Sequence, residues 1–214
     1  DGSDISGIDG SAAEIFQAIA NLDVDPTNFN STLSAGVENA TDIFTLEAIN
    51  GTGTIDGSSL TEINGTAAEV VQAITELDTA PIDFNSALYA SAANATDISF
   101  IKAHNGTGAI DGSALTDIAG TAAEVLQAVD NLDTDPTSFD ARLTGTAIAT
   151  EITAIEAFNG SGILDGSALQ EIIGTAEEIN QALLVLDIDP TDFNSTLSAG
   201  AENATDITAL EAVN

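Results

Sequence analysis

Residues 56–74 read DGSSLTEINGTAAEVVQAI, and three further versions of this stretch begin at residues 1, 111 and 165. Successive versions start 54–55 residues apart. An internal period of this size is typical of stacked arrays, in which each repeat buries its apolar side against its neighbours. The sequence therefore divides into repeats at residues 1–55, 56–110, 111–164 and 165–214, the last of which is incomplete.

The composition limits both the core and the partners. Apolar residues make up 43% of the chain but aromatic residues only 4%, which favours thin layers built from Ala, Ile, Leu and Val. Thirty-five acidic residues face two basic ones, giving a formal charge of −33. Such a surface repels nucleic acids and anionic lipids, because both need basic side chains to neutralise phosphate. A mean hydropathy of +0.19 argues against disorder.

The lack of cysteine and of long apolar runs excludes further kinds of site and segment. The chain has no cysteine, which excludes disulfides and thiolate metal sites. Its longest strongly apolar run, residues 182–186, is too short to span a bilayer, so we expect no membrane insertion. No signal peptide precedes Asp1, and the chain stops at Asn214, where the other repeats continue. We expect a longer array with its targeting signals elsewhere.

Each repeat begins with a glycine-rich turn into a short β-prone segment, such as Ile55-Asp56 and Ile63. A helical turn over residues 58–64 is the competing interpretation of so short a run. The next signal is a capping box, in which Thr66 and Glu69 satisfy each other's backbone N–H groups at the start of a helix. Thr121 is the equivalent N-cap, and Val70, Ala73 and Ile74 mark the apolar face.

Two further helices are predicted in each repeat. The second begins at an Asp-Pro pair, such as Asp25-Pro26, with Asp as N-cap and Pro at the first helical position. Its inward residues form four Phe/Leu pairs: Phe29/Leu33, Phe84/Leu88, Phe139/Leu143 and Phe193/Leu197. The third begins near residues 41–43, buries Ile43, Leu46 and Ile49, and stops at Asn50-Gly51.

These signals predict an α/β solenoid of four units, each a short parallel strand segment plus about three short helices. An all-α solenoid is the alternative if the extended segment is helical. Residues on the apolar pattern, such as Ile15 and Phe16 in the first unit and Leu186 and Leu197 in the last, leave neither outermost unit with a polar cap. We therefore expect further repeats of the same chain, or other copies of it, to stack on these units.

The lone His104 does not indicate an enzyme. Its counterparts in the other repeats are Ile49, Phe158 and Val213, so we interpret it as a half-buried packing residue. A histidine in that role cannot serve a catalytic triad, and no second His or Cys is available to complete a zinc site. We expect a non-catalytic protein.

Calcium is the most plausible cofactor. Asp23, Asp25 and Thr27 copy the first liganding positions of an EF-hand loop, although Asn28 and Ser34 break its pattern, so helix capping by Asp25 competes with calcium binding. The counterparts of these two acids are Asp133, Asp135, Asp187 and Asp189.

A second candidate calcium site is a column of acids made of Asp1, Asp56, Asp111 and Asp165. If their segments pair directly as parallel strands, neighbouring carboxylates would lie about 4.8 Å apart. Intercalated Ca²⁺ would relieve their repulsion. A solvated acidic face that is stabilised only by salt is the alternative.

The run Gly-Thr-Gly-x-Ile-Asp-Gly-Ser, followed by Gly-Thr-Ala-Ala-Glu-Val, resembles the repeat arrays of very large secreted or cell-surface proteins of bacteria, notably marine cyanobacteria. The resemblance implies extracellular exposure, an elongated shape and a structural or adhesive role in a surface layer, an adhesin stalk or a filament. It brings no catalytic residues. A solenoid module that binds a ligand or partner on one face is the second hypothesis.

Overall fold

The computed structural model describes residues 1–213 and has a mixed α/β fold, as the sequence predicts. Within this range there are eight helices: α1 (Ala12–Ala20), α2 (Ala40–Ile49), α3 (Ala67–Glu76), α4 (Ala95–His104), α5 (Ala122–Asn131), α6 (Ala149–Phe158), α7 (Ala176–Val185) and α8 (Ala204–Glu211). The strands are β1 (Ser31–Thr32), β2 (Val37–Asn39), β3 (Ile55–Asp56), β4 (Glu62–Asn64), β5 (Ser86–Ala87), β6 (Ala92–Asn94), β7 (Ile110–Asp111), β8 (Asp117–Gly120), β9 (Asp140–Ile148), β10 (Leu164–Gly174) and β11 (Asn194–Leu197). None of the helices described over residues 1–213 has the length and apolar character that a bilayer crossing requires.

The chain forms two compact units. Unit 1 comprises Asp1–Tyr89 and Phe100–Gly112, and unit 2 comprises Ala90–Ser99 and Ser113–Asn214. In both units an extended segment is followed by one helix, and we call this combination a β–α turn. Each sequence repeat thus contains two β–α turns of different kinds, one with the Gly-Ser/Thr-Ala capping box and one without it.

In unit 1 the extended segments of successive turns pair in parallel. Strand β1 pairs with β3, β2 with β4, and β5 with β7. Single bridges then join Asp56 to Thr79 and Glu62 to Asn85, so the pairing continues from one turn to the next. Helices α1, α2 and α3 pack in the same order beside these strands.

In unit 2 the pairing forms one parallel sheet of five strands in the order β11-β10-β9-β8-β6. Strands β9 and β10 are long, and shifts in their register absorb the different lengths of the two kinds of turn. Helices α5, α6, α7 and α8 pack against one another in sequence. The core between sheet and helices is aliphatic, with Ile118, Ile172 and Ile179 fully buried.

The predicted first helix is confirmed. Helices α3, α5 and α7 have Thr66, Thr121 and Thr175 as N-caps, and each begins with a complete capping box. The predicted third helix is also present: α2 buries Ile43 and Leu46 and ends at Ile49, with Asn50 as C-cap and Gly51 at φ +71° after it. Ile49 was predicted to be buried, but it is 39% exposed on the outer side of that helix.

The predicted second helix is wrong. The segments after Pro26, Pro136 and Pro190 run through bends into strands β1, β9 and β11. Phe29 and Leu33 are buried as predicted, but so is Ser31 between them, which is the alternation of a strand. A spacing of four residues fits one turn of helix and also two steps of a strand, so the Phe/Leu pairs could not separate the two. Each repeat has two helices rather than three, and residues 62–64 are extended rather than helical.

Glycine permits the sharp bend that leads from a helix into the next strand. A Cβ atom at Gly53 would lie 1.8 Å from the carbonyl oxygen of Phe29, and one at Gly162 would lie 1.9 Å from that of Phe139. The fully buried Asn50 and Asn159 hold the same bends by donating a side-chain N–H to the carbonyl oxygens of Gly53 and Gly162. Close approach of two backbones therefore requires the Gly-x-Gly pattern here.

Candidate assembly surfaces

Side-chain hydrogen bonds connect successive turns in addition to the backbone hydrogen bonds. Asn30 Oδ1 accepts a hydrogen bond from the Thr54 backbone N–H at 2.9 Å, and Asn85 Oδ1 accepts one from Ala109 at 2.8 Å, each across 24 residues of sequence. Asp140 Oδ1 accepts the equivalent bond from Ile163 in unit 2. These side chains satisfy backbone donors that a short strand leaves unpaired. The sequence did not lead us to predict this role, although an Asn or Asp directly follows each Phe of the four Phe/Leu pairs.

The predicted column of Asp1, Asp56, Asp111 and Asp165 does not exist as a ladder of neighbours. Asp56 lies opposite Thr32 and Thr79, and Asp165 lies opposite Arg142 and Ile188. Asp111 pairs with Ala87. The reason is that each repeat makes two β–α turns, so equivalent positions are separated by an intervening turn.

The individual carboxylates of this set form local turns. Asp1, Asp56 and Asp165 each accept the backbone N–H of the Ser two residues later. Hydrogen bonds from the Ser58 side chain and backbone lower the pKa of Asp56.

The other predicted calcium ligands lie at exposed positions. Asp187 Oδ2 accepts the Leu164 backbone N–H at 2.8 Å, so it connects two turns. Asp23, Asp25, Asp133, Asp135 and Asp189 lie on the surface of their loops. In the part of the chain that the structure describes, no three His, Cys, Asp or Glu side chains converge as a metal site would require. Calcium binding stays a prediction.

The lone histidine lies at the C-terminal end of α4. His104 is exposed rather than half-buried as predicted, because its position faces outward like that of Ile49. Its ring stacks on Phe100 with centroids 4.0 Å apart, and Nδ1 lies 2.8 Å from the Phe100 carbonyl oxygen.

The Arg142 guanidinium forms an ion pair with Asp117 at 2.8 Å.

The most distinctive surface of unit 2 is the outer side of its last β–α turn. We call it the trailing face and define it by Leu197, Ala204 and Ile207. Leu197 is 39% exposed, whereas its equivalent Leu143 in the same unit is 1% exposed. Ile207 is 41% exposed, whereas its equivalent Ile152 is fully buried. Within residues 1–213, strand β11 pairs with β10 on one edge and with no strand on the other.

Unit 1 has a comparable surface on its first β–α turn. We call it the leading face and define it by Ile8 and Ala18. Ala18 is exposed and Ile8 half-buried, whereas their equivalents Ala73 and Ile63 in the same unit are fully buried. Within residues 1–213 the first turn packs only against a following turn, as shown by the bridges from Gly7 to Asn30 and from Gly10 to Leu33.

A groove recurs beside the helices of unit 2. Next to the trailing face it encloses about 470 Å³ between α7 and α8. Its lining includes apolar residues such as Leu183 and Phe193 and the acids Asp189 and Asp206. One repeat earlier the corresponding groove encloses about 400 Å³ and contains Phe158.

Comparisons with protein-family models, with curated proteins and with solved structures found no match to this chain.

Proposed function

We propose that this chain is a non-catalytic structural segment that assembles by stacking of its β–α turns. Four repeats of two turns each would form a solenoid that spaces or lengthens an extracellular surface protein, an adhesin or a filament. One observation carries this proposal: within each unit the extended segments of successive turns pair in parallel and bury their apolar positions against one another. Apolar faces of a repeated pattern gain free energy when another turn covers them.

The chemistry of the side chains supports a role without turnover. His104 is engaged with Phe100 on the surface, and serine hydroxyls such as that of Ser11 cap helices. The charge of −33 suits a surface bathed in salt water, where counter-ions screen self-repulsion. Divalent cations are candidate stabilisers for the same reason. A secreted or cell-surface location follows from this proposal and from the resemblance of the repeats to bacterial surface arrays.

Light scattering at increasing protein and NaCl concentration tests the proposal. We expect the mean mass of the 214-residue chain to rise with concentration in moderate salt, since salt weakens repulsion between acidic copies. Ile207→Glu places a charge on the trailing face and should prevent the rise. Ile82→Glu is the matched control, because Ile82 is 82% exposed and belongs to neither face. A strictly monomeric wild-type particle under all of these conditions would contradict assembly.

A ligand-binding module is the second candidate, and the recurring groove favours it. The groove next to α8 has apolar walls and two carboxylates, which would suit an apolar molecule that carries a cationic amine. Binding of a hydrophobic amine measured by calorimetry, lost in Leu184→Arg but kept in Ile82→Arg, would support it. Absence of binding to the wild type would remove this candidate.

A further inference from the structure

The single arginine of the chain lies on the outer face of the sheet in unit 2. Arg142 belongs to β9, and the equivalent positions in the other repeats are Thr32, Ala87 and Thr196. Its side chain is 52% exposed. The third repeat therefore carries a guanidinium where the other repeats have small neutral side chains, on a chain whose formal charge is −33.

The guanidinium of Arg142 is held in place through one of its three nitrogens. Nε donates to the carboxylate of Asp117, at 3.1 Å from Oδ1 and 2.8 Å from Oδ2. The Asp117 side chain is 18% exposed, so most of its surface is shielded from water. Among residues 1–213 the contacts of the guanidinium go through Nε, which leaves both Nη groups to donate to another molecule. Their geometry is planar and fixed.

A polar pocket lies beside this side chain, and we call it the arginine pocket. It encloses about 310 Å³, at the lower end of the range for ligand pockets, which suits a molecule of the size of one sugar ring. All of its lining residues belong to unit 2. Besides Arg142 they include amide, hydroxyl and carboxylate groups together with two small apolar side chains: Asn94, Thr144, Ser167, Asp165, Ala119 and Ala168.

The arginine pocket lies at an irregularity of the sheet. Arg142 lies opposite Asp165 on β10. Two residues later on β9, Thr144 lies opposite Ala168, which is three residues later on β10. The extra residue makes a β-bulge, a feature that re-aims side chains and is frequent beside active sites. Ser167 and Ala168 are accordingly both exposed, which regular alternation along a strand would not allow.

The pocket offers acceptors as well as donors. Asp165 Oδ1 accepts the Ser167 backbone N–H at 2.9 Å, which leaves Oδ2 to accept from a ligand. Asn94 donates its Nδ2 to Asp97 Oδ2 at 3.0 Å and keeps its Oδ1 as an acceptor. Serine and threonine hydroxyls donate and accept. A matching ligand must therefore both donate and accept hydrogen bonds over a short distance.

We propose that the arginine pocket binds neighbouring hydroxyl groups of a neutral saccharide. The two Nη groups of Arg142 would donate to two adjacent hydroxyl oxygens, and Asp165 and Asn94 would accept from the hydroxyl protons. Ala119 and Ala168 would face the C–H groups of the sugar ring. An anionic ligand would be repelled by Asp165 and by the charge of the whole chain, and a cationic ligand would be repelled by Arg142. This site goes beyond the proposed structural role and does not depend on stacking of the turns.

NMR titration of the isotope-labelled chain with D-glucose, D-galactose and D-mannose tests this site, because the three sugars present adjacent hydroxyls in different geometries. We expect at least one of them to shift the backbone amide signals of Ala119, Thr144 and Ser167, with a dissociation constant on the order of 1 mM. Arg142→Thr installs the residue found in the first and fourth repeats and should weaken binding at least about tenfold. Lys102→Thr is the matched control, since it removes the same charge from unit 1.

Two further measurements separate the chemistry of the site from its charge. Arg142→Lys keeps the charge but lacks the pair of Nη groups, so it should also weaken binding. D-Glucuronate at constant ionic strength should bind more weakly than D-glucose, because its carboxylate meets Asp165.

Several results would overturn the proposal. One is the absence of any shift with all three sugars at about ten times the expected dissociation constant. Another is binding that both Arg142 variants retain in full, which would place the sugar elsewhere. Tighter binding of D-glucuronate than of the neutral sugars would make the pocket an anion site instead.

Discussion

Glu38 shows how a buried acid is used to join two turns. Its side chain is 6% exposed, and Oε1 accepts the backbone N–H of Ala12, the first residue of α1, at 3.0 Å. Burial raises the pKa of Glu38 above the usual value of 4.5, and repulsion from Asp42 and Glu14 adds to this. The hydrogen bond from Ala12 opposes the shift only in part. The ionised carboxylate is therefore less stable in the folded chain than in the unfolded one.

This environment predicts the pH dependence of stability. Because the folded pKa is raised, protonation of Glu38 favours the fold, so its contribution should increase as pH falls from neutral toward 4.5. Glu38→Gln keeps an acceptor for Ala12 and should flatten that increase, with its largest gain over wild type near neutral pH. Urea unfolding between pH 4.5 and 7.5 measures it. The exposed Glu177→Gln loses the same charge, and equal effects of the two variants would contradict a special role of Glu38.

At the scale of elements, local signals were predictable from the sequence and ambiguous spacings were not. The capping boxes at Thr66 and Thr121 depend on residues three apart, and the structure contains both. The Phe29/Leu33 spacing fits helix and strand alike, and its outcome depends on pairing with residues far along the chain. The column of Asp56 and Asp111 failed for a related reason. The number of turns in a repeat depends on how the extended segments pair within each unit, and a single repeat sequence does not reveal it.

Substitution of the N-cap Thr121 measures how much the capping box contributes to the free energy of unfolding. Thr121 Oγ1 accepts the Glu124 backbone N–H, and Thr121→Ala should cost about 1 kcal/mol of unfolding free energy because that donor loses its partner. Thr150→Ala is a suitable control, since Thr150 is exposed within the first turn of α6. A change near zero for Thr121→Ala would show that the cap is replaceable by water.

Substitution of a glycine in the bends between helix and strand should destabilise the fold more than loss of an N-cap does. Gly162→Ala would force a Cβ against the Phe139 carbonyl, and the backbone must move to relieve the clash. We expect destabilisation of more than about 2 kcal/mol in urea unfolding. Gly200→Ala is the control, because nothing lies within 4 Å of its Cβ position. If both variants unfold at the same urea concentration, the bends are more adaptable than their geometry indicates.

For the molecule as a whole, charge is the dominant property. A formal charge of −33 on 214 residues leaves two basic side chains to offset the repulsion, and Arg142 is already engaged with Asp117. Counter-ions must therefore contribute to stability. Sequence alone was sufficient for this conclusion, since composition does not depend on the register of the strands.

Melting curves in salt separate screening from specific binding. We expect the melting temperature to rise with NaCl because screening weakens repulsion throughout the fold. If carboxylates such as Asp25 and Asp135 bind calcium, Ca²⁺ should raise the melting temperature further at equal ionic strength, and Mg²⁺ less so. A melting temperature that a chelator does not alter at fixed ionic strength would leave screening as the only contribution of cations.

The presence of two unlike β–α turns in each sequence repeat has a consequence for how such a chain can evolve. Recombination between copies that are 54–55 residues apart removes or adds two turns together, so every surviving turn keeps a neighbour of the proper kind. A crossover displaced by one turn would place two turns of the same kind side by side, with strand lengths that do not match. Because of selection against that mismatch, the two turns of a repeat should be gained or lost together. Natural variants of the gene should therefore differ in length by whole repeats.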